Sequence, residues 1–401
     1  MASTYRRHAV VLGLLSAVGP FAIDMYLPAL PRIAADLDTS TASAQMTLTV
    51  FFLTFGLCQL VYGPLSDVVG RKPPLFFGIA VFLAASIGCA LSTTIDQLIL
   101  FRALQGIGAS AGMVIPRAII RDLHTGVEAT RLMSLVMLVF SVSPILAPLA
   151  GSAVIAPFGW QAVFVAVSLA SLVALALLAT LLPETRPPAA RSRASLSDLL
   201  QGFATLLGDR RFLGLSFIGG LGMASFFAFL AGSSFIYIDH FGATPMQYSF
   251  AFAFNAIGFI GASQFAAHLG ERFGMSRVVL GAVLAYAAFA ALHLGMTAMG
   301  ADSLRVMIPM LFLTFAFLGL VVPASMVLAL EAHGPIAGLA SALGGTLQML
   351  TGGVVVGLVS LVSDGTPLPM VAVIAICALG AVLLSLATLR SRRGRPATSG
   401  A

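Results

Sequence analysis

The chain has 401 residues, of which 59% are hydrophobic and only 9% are charged. Soluble globular domains contain roughly 25% charged residues, so this composition excludes an ordinary water-soluble fold. A net charge of +6 is compatible with nucleic-acid binding, but the basic residues are spread over short turns between apolar stretches. We therefore predict an all-α membrane protein with no nucleic-acid partner.

About twelve stretches are long enough to cross a bilayer, since a membrane helix needs ~20 apolar residues. They cover approximately 8–30, 42–65, 74–92, 98–120, 132–156, 160–182, 210–235, 247–268, 277–299, 305–331, 337–362 and 368–390. One connection is long, and it contains a predicted interfacial helix at 196–207. It divides the chain into a six-helix bundle (1–183), a cytoplasmic linker (184–209), a second six-helix bundle (210–390) and a cytoplasmic tail (391–401).

The basic residues predict the orientation of the chain. If the amino terminus is cytoplasmic, all but three of the 21 basic residues lie on the cytoplasmic side or in the tail. The exceptions are Arg32 and Arg305 outside and Arg102 within the fourth stretch. The positive-inside rule then places both termini in the cytoplasm. Arg6 and Arg7 precede the first apolar run as in a signal peptide, but the run continues without a clear cleavage site, so we interpret it as the first helix.

Asp24 and Arg102 are the two charges clearly placed within an apolar stretch, where a charge costs at least ~2.5–3.5 kcal/mol and often marks a transport pathway. Asp24 either reaches the outer surface or faces a central cavity, where its carboxyl can exchange a proton. Arg102 either donates a structural hydrogen bond between helices or assists proton transfer.

A weak internal repeat accompanies the division into halves. Asp67-x-x-Gly70 follows the second stretch, and Glu271-x-x-Gly274 follows the eighth, 204 positions later. Two similar halves around a midplane site are the usual construction of secondary transporters.

Four segments resemble a known family. Residues 63–73 (GPLSDVVGRKP) resemble the cytoplasmic motif of the major facilitator superfamily, and residues 101–110 (FRALQGIGAS) resemble the helix-four motif of its proton-coupled members. Residues 23–31 (IDMYLPALP) and 225–232 (SFFAFLAG) are similar to the twelve-helix drug:proton antiporters of the bicyclomycin/chloramphenicol-resistance (Bcr/CflA) subfamily. The resemblance implies two pseudo-symmetric six-helix bundles.

The resemblance also implies a conformational latch at the first motif. Asp67 would accept backbone N–H groups at the start of the eleventh helix, near Pro335, while Arg71 would reach Asp122 and hold the outward-facing state. The alternative is that Arg71 and Lys72 serve only topology. The predicted latch residues are Gly63, Asp67, Gly70, Arg71 and Asp122.

The fifth helix and the central cavity supply the remaining candidates. The antiporter motif in helix five corresponds to Pro144, Ala147, Pro148 and Gly151, with Ala147 and Ser152 standing where the family has glycines. In this fold, substrate-binding positions would be Asp24, Tyr26, Phe226, Phe229, Asn255 and Gln348. The alternative for each aromatic residue is ordinary packing against lipid or neighbouring helices.

Two other functions were weighed from the residues. Gly108-Ala-Ser110-Ala-Gly112 matches the nucleophile pattern of serine hydrolases, but that nucleophile needs a strand-to-helix turn and this segment is helical. Lys72 is the only lysine and lies between Arg71 and Pro73, which excludes a phosphate-binding Gly-Lys-Ser/Thr loop and hence ATP-driven transport of that type.

The sequence therefore predicts a monomeric drug:proton antiporter of the bacterial inner membrane. Its expected partners are a drug-like small molecule, protons and the lipid bilayer, and we expect no cofactor, no metal and no enzymatic activity. The alternatives are a proton-coupled exporter of a metabolite such as an amino acid or sugar and, more remotely, an intramembrane serine hydrolase.

Overall fold

The structure is a computed structural model that describes residues 2–124, 126–188 and 196–390. Throughout these residues the secondary structure is helical, with no strand. Among the described residues, twelve helical segments are long and apolar enough to cross a membrane. The predicted fold class is therefore confirmed, whereas the two-domain boundaries at 183 and 210 stay predictions.

The first six spans are formed by seven helices and one short turn. In chain order these are α1 Ala2–Asp24, a 3-10 turn Leu27–Ala29, α2 Leu30–Asp36, α3 Thr41–Val69, α4 Lys72–Leu91, α5 Ile95–Leu123, α6 Gly126–Phe158 and α7 Gln161–Leu181. The first span consists of α1, the turn and α2 together.

The amphipathic helix α8, Leu196–Gly208, precedes the second set of spans. These comprise α9 Arg210–Phe235 with a π-helical turn Ile236–His240, α10 Pro245–Gln264, α11 Ala266–Phe273, α12 Met275–Ala298, α13 Leu304–Leu330 with a 3-10 turn Glu331–Ile336, α14 Ala337–Val362 and α15 Pro367–Arg390. Helices α10 and α11 form one span.

Several helices begin before the apolar stretches that predicted them, because polar side chains cap them. Ser40 accepts from the backbone N–H of Ser43 at the start of α3, and Thr94 accepts from that of Gln97 at the start of α5. At the start of α10, Thr244 and Gln247 form a reciprocal capping box. These contacts satisfy N–H groups that the first helical turn leaves without partners.

An even number of spans returns the chain to the end of the molecule where it began. We call this the terminal end and the opposite one the distal end. The turn after α3 and the turn before α12 both lie at the terminal end, and Gly70 (φ 103°) and Gly274 (φ 84°) have positive φ in both. Glycine adopts this conformation without steric cost. The backbone therefore repeats the pattern that the sequence shows 204 residues apart.

The two halves pack against each other along two pairs of helices, α3 with α14 and α6 with α10. The site candidates lie along these pairs and on α1, α5 and α9.

Candidate functional site

Asp24 is the last residue of α1, just before the turn that contains Pro28. It is only 6% exposed, so its carboxylate is buried rather than at the surface. Its Oδ2 atom accepts a hydrogen bond of 3.0 Å from the hydroxyl of Ser143 on α6. The described residues supply no ion-pair partner for Asp24. Helix α6, which carries Ser143, packs against α10 of the other half. Asp24 is thus a buried acid near the boundary between the halves.

Arg102 is fully buried on α5 and points to α1. Its Nη1 atom donates to Gln105 Oε1 at 2.6 Å and to the backbone oxygen of Ala22 at 3.3 Å. The guanidinium carbon lies 4.7 Å from the ring centre of Tyr26 and 4.4 Å from that of Phe51, which stabilises the buried cation. Its Nε and Nη2 atoms have no hydrogen-bond partner. Arg102 therefore holds the backbone of α1 close to the buried acid without pairing with it.

Gln105 and Ser86 extend this network and were not among the predicted site residues. Gln105 donates through Nε2 to the Ser86 hydroxyl at 2.7 Å, and Ser86 donates to the backbone oxygen of Phe82 on α4. The sequence could have indicated Gln105, because it lies inside the motif at 101–110, one helical turn after Arg102. No local sequence pattern around Ser86 indicates that it takes part in this network.

The predicted substrate residues fall into two groups. Tyr26 is fully buried, and its hydroxyl lies 2.8 Å from Thr47 Oγ1, so in this conformation it packs inside the first half. Phe226 and Phe229 belong to an aromatic cluster with Phe252 and Phe315 in the second half, with ring centres 5.1 to 6.4 Å apart. Phe226 is half-buried, and Phe229 is buried.

The predicted amides lie on the helices that meet the first half. Asn255 on α10 is 1% exposed, and Gln348 on α14 is 9% exposed. The Tyr237 hydroxyl lies beside the Asn255 amide, close enough to interact with it but without normal hydrogen-bond geometry. Both Asn255 polar atoms consequently lack a hydrogen-bond partner, which is costly for buried groups. The structure thus brings buried, unsatisfied polar atoms near an aromatic cluster.

At the terminal end, the predicted latch residues form an ion-pair cluster. Arg71 Nε lies 2.8 Å from Asp122 Oδ2, and Arg71 Nη1 lies 2.7 Å from Asp67 Oδ1. Arg186, after α7, adds a contact of 2.9 Å with Asp67. In this conformation Asp67 makes these ion pairs within the first half, whereas the sequence led us to expect it at the start of the eleventh helix, α14. Of the predicted glycines, Gly63 faces Val114 on α5 and Gly70 forms the turn before Arg71.

Glu184 is a member of this cluster that sequence reasoning missed. Its carboxylate accepts the backbone N–H groups of Arg71 and Lys72, at 2.9 and 3.0 Å, and that of Arg186 at 2.9 Å. Burial acts to raise the pKa of Glu184, but these N–H groups outweigh it and hold the pKa below its usual value. The carboxylate also lies at the amino end of α4, where the helix dipole favours an anion. Glu184 therefore fastens the end of the sixth span to the start of the third.

At the distal end, hydrogen bonds join the two halves. The Ser152 hydroxyl lies 2.9 Å from the Pro245 backbone oxygen and 2.8 Å from the Ser249 hydroxyl, and Ser249 lies 2.9 Å from the Pro148 backbone oxygen. Gln45 Nε2 donates to the backbone oxygen of Ala231 at 3.1 Å. We call these contacts the distal seal; its residues are Gln45, Pro148, Ser152, Ala231, Pro245 and Ser249.

The distal seal involves the predicted helix-five motif. Pro148 supplies an acceptor, and Ser152 stands where the family has a glycine. Gly151 lies against the backbone of Met25 on the first span, where there is no space for a Cβ atom. Ala147 is fully buried, and Pro144 follows Ser143, the hydrogen-bond donor to the buried acid.

At the terminal end, by contrast, a cavity of about 720 Å³ separates α5 and α6 from α10. Arg121, Met133 and Gln264 are among the residues that line it. The structure is therefore sealed at the distal end and open between these helices at the terminal end.

The serine-hydrolase pattern has a structural explanation. Ser110 lies inside α5 and donates to the Ile107 backbone oxygen of its own helix at 2.7 Å. A Cβ atom at Gly108 would lie 2.5 Å from the backbone oxygen of Gly78, so this glycine permits α5 to pack closely on α4. The segment is therefore a helix-packing surface rather than a nucleophile turn.

Comparisons with known proteins indicate which family the chain belongs to. The sequence profile of the Major Facilitator Superfamily matches residues 12–356. The chain is 35% identical over 389 residues to an uncharacterized MFS-type transporter, YdgK, of Bacillus subtilis, covering 96% of each protein. It is 30% identical over 393 residues to a bicyclomycin resistance protein homolog of Haemophilus influenzae, covering 96% of this chain and 97% of that protein. A crystal structure of a D-xylose–proton symporter superposes with a TM-score of 0.72 at 17% identity, covering 98% of both chains.

The protein belongs to the Major Facilitator Superfamily. Relatives named for bicyclomycin, chloramphenicol and multidrug resistance confirm the Bcr/CflA subfamily that the first-helix motif predicted. It is a multi-pass protein of the bacterial inner membrane and not an enzyme.

Proposed function

We propose that this protein exports drug-like molecules in exchange for protons by alternating access. The names of the relatives support drugs over a metabolite as cargo. The observation that carries proton coupling is the position of Asp24, which is buried, hydrogen-bonded to Ser143 and without an ion-pair partner among the described residues.

The orientation follows from the charges at the two ends. Among the described spans, the arginines of the ion-pair cluster and those at the starts of α9 and α12 lie at the terminal end, whereas Arg32 and Arg305 lie at the distal end. The positive-inside rule assigns the terminal end to the cytoplasm. On this assignment the structure is inward-facing, with the distal seal closing the periplasmic side. The Arg71–Asp122 ion pair is formed in this state, so it does not by itself hold the outward-facing state as the motif led us to expect.

Proton exchange at Asp24 would switch the buried site between a neutral and a charged form. A charge without a partner in such a site is costly. The unpartnered Nε and Nη2 atoms of Arg102 are donors that could reach the carboxylate if α1 shifts. We infer that loss of the proton to the cytoplasm accompanies drug binding, and that proton uptake from the periplasm accompanies drug release.

The second half would supply the uncharged part of the substrate site. Phe226 and Phe229 offer aromatic surface, while Asn255 and Gln348 offer donors and acceptors. Such a lining suits moderately apolar molecules with a few hydrogen-bonding groups. Tyr26 would act through Arg102, whose guanidinium it contacts, rather than by touching the substrate in this conformation.

Asp24→Asn tests the proposal, because the amide keeps the shape and loses the titratable proton. Asp36→Asn is the matched control, since Asp36 lies on the same span, 44% exposed and 3.6 Å from Arg32. We expect Asp24→Asn to abolish uptake of labelled drug into inverted vesicles on acidification of their interior and to remove resistance in a pump-deficient host. Asp36→Asn should retain both. Undiminished drug/proton exchange by Asp24→Asn would show that the coupling site lies elsewhere.

A further inference from the structure

A crevice of about 660 Å³ lies at the terminal end of the second half, between α9, α12 and α15. Leu213, Phe217 and Leu384 give it an apolar wall, and Arg210 and Arg211 line the same crevice. It shares α9 with the distal seal but lies at the opposite end of that helix, and it lies on different helices from the buried acid and the terminal cavity between the halves. The proposed transport mechanism does not use it.

The positive charge of this crevice is poorly compensated. Arg210 is exposed and forms no ion pair among the described residues. Arg211 reaches only the exposed carboxylate of Glu331, at the long distance of 3.9 Å. Asp209, the residue before them, is engaged elsewhere, because it caps α9 and lies 2.9 Å from His333. Two guanidinium groups are therefore available to an anion from outside the chain.

The internal repeat indicates where such an anion would lie. Gly70 and Gly274 occupy equivalent turns, so the start of α12 corresponds to the start of α4. In the first half, the Glu184 carboxylate, just beyond the sixth span, accepts the first backbone N–H groups of α4. The sixth and twelfth spans begin at Gln161 and Pro367, 206 residues apart, so the equivalent of Glu184 falls near the end of α15.

The second half has no carboxylate at this place. The sequence contains no acidic residue after Asp364. Thr388 and Leu389 stand there instead, and they line the crevice together with Ser276 at the start of α12. The residue before α12 is Gly274, which has no side chain that can cap the helix. The turn of the first half thus recurs in the second without an acidic residue at the equivalent place, and Arg210 and Arg211 line the crevice there.

We propose that this crevice binds an anionic phospholipid, with the phosphate between Arg210, Arg211 and the start of α12. The acyl chains would lie against the apolar wall. Basic pockets between membrane helices are suited to anionic headgroups. The apolar wall distinguishes a lipid from a soluble phosphate, because a free phosphate has nothing to place against leucine and phenylalanine.

The test is native mass spectrometry of the full-length protein in detergent, titrated with dioleoylphosphatidylglycerol and, separately, with zwitterionic dioleoylphosphatidylcholine. We expect the unmodified protein to prefer phosphatidylglycerol. Arg210→Gln/Arg211→Gln should weaken phosphatidylglycerol binding by roughly 25-fold, since each arginine near anionic lipid contributes ~5-fold. Arg131→Gln/Arg272→Gln removes the same charge from the same end and should leave binding within about twofold.

Thr388→Glu is a second variant that does not depend on removing the arginines. Its carboxylate would take the place that Glu184 has in the first half, so phosphatidylglycerol binding should fall while phosphatidylcholine binding stays the same. Equal losses in the two arginine pairs, or full retention in both Arg210→Gln/Arg211→Gln and Thr388→Glu, would overturn the site. Displacement of the lipid by an equimolar amount of sn-glycerol 3-phosphate would overturn the lipid assignment in favour of a soluble phosphate.

Discussion

The distal seal makes a quantitative prediction about the conformational equilibrium. Ser152 and Ser249 make three close contacts across the halves, but two hydroxyls carry two protons and can donate only two hydrogen bonds at a time. Replacing either serine by alanine removes one bond, and the double variant removes both. A buried hydrogen bond contributes about 0.5–1.5 kcal/mol net. Each single variant should therefore favour the distal-open state by about fivefold, and the double variant by about 30-fold.

The assay is the labelling rate of a cysteine buried behind the seal. Ala253 is 6% exposed and lies one helical turn beyond Ser249 on α10, so Ala253→Cys reports opening from the distal side. The three native cysteines are first replaced by alanine. A membrane-impermeant maleimide is then applied to the periplasmic side of intact cells or right-side-out vesicles.

Ser171→Ala is the matched control. Ser171 is fully buried, like the seal serines, but its hydroxyl donates to the Val167 backbone oxygen of its own helix. This substitution should leave the labelling rate of Ala253→Cys unchanged. If the double variant labels no faster than the parent, or if Ser171→Ala accelerates labelling equally, the hydrogen bonds between the halves do not set the equilibrium.

The ion-pair cluster at the terminal end gives two further predictions. Both can be measured by denaturing the purified protein and following the fluorescence of Trp160, which is buried and is the only tryptophan in the sequence. A double-mutant cycle of Arg71→Gln with Asp122→Asn should give a coupling free energy of ~1–3 kcal/mol, whereas the cycle of Arg71→Gln with Asp67→Asn should give less than ~1 kcal/mol. The reason is that Asp122 is 19% exposed and Asp67 is 42% exposed, so water screens the second ion pair more strongly. Equal coupling free energies would contradict this ranking. Glu184→Gln should cost ~1–3 kcal/mol near neutral pH. Folding lowers the pKa of Glu184, so its contribution to the free energy of unfolding is complete above the unfolded-state pKa of ~4.3 and is lost as the pH falls through the folded-state pKa. The difference in the free energy of unfolding between Glu184→Gln and the parent should therefore vanish in acid but not in base.

The membrane spans and the Arg71–Asp122 ion pair could both be predicted from the sequence, but for different reasons. A bilayer of fixed thickness demands apolar runs of a fixed length, so the apolar runs in the sequence predict about twelve helices. The proximity of Arg71 and Asp122, by contrast, was expected only because residues 63–73 resemble a family motif. The spacing of those residues contains no information about which helix faces which.

The contacts that sequence reasoning missed join residues far apart in the chain. Glu184 lies 112 residues from Lys72, and Ser152 lies 97 residues from Ser249. Nothing in the local pattern of a proline-rich turn or a small-residue helix indicates such partners. Ser152 was noted only as a departure from a glycine, and its hydroxyl proves to be a contact between the halves. These contacts depend on how the spans are arranged, which apolar periodicity does not determine.

The distribution of buried charge suggests how the halves divide the work. In the described residues, the buried acidic and basic side chains are Asp24, Arg71 and Arg102, all in the first half, whereas the buried polar groups of the second half are uncharged or histidine. If Asp24 carries the proton, the described part of the second half has no buried acidic or basic side chain other than histidine with which to sense it. Protonation must then reach the second half through contacts between the halves. The hydroxyl of Ser143, which holds Asp24, lies on the same helix, α6, as Ser152, which holds α10. Helix α6 therefore connects the proton site mechanically to the distal seal.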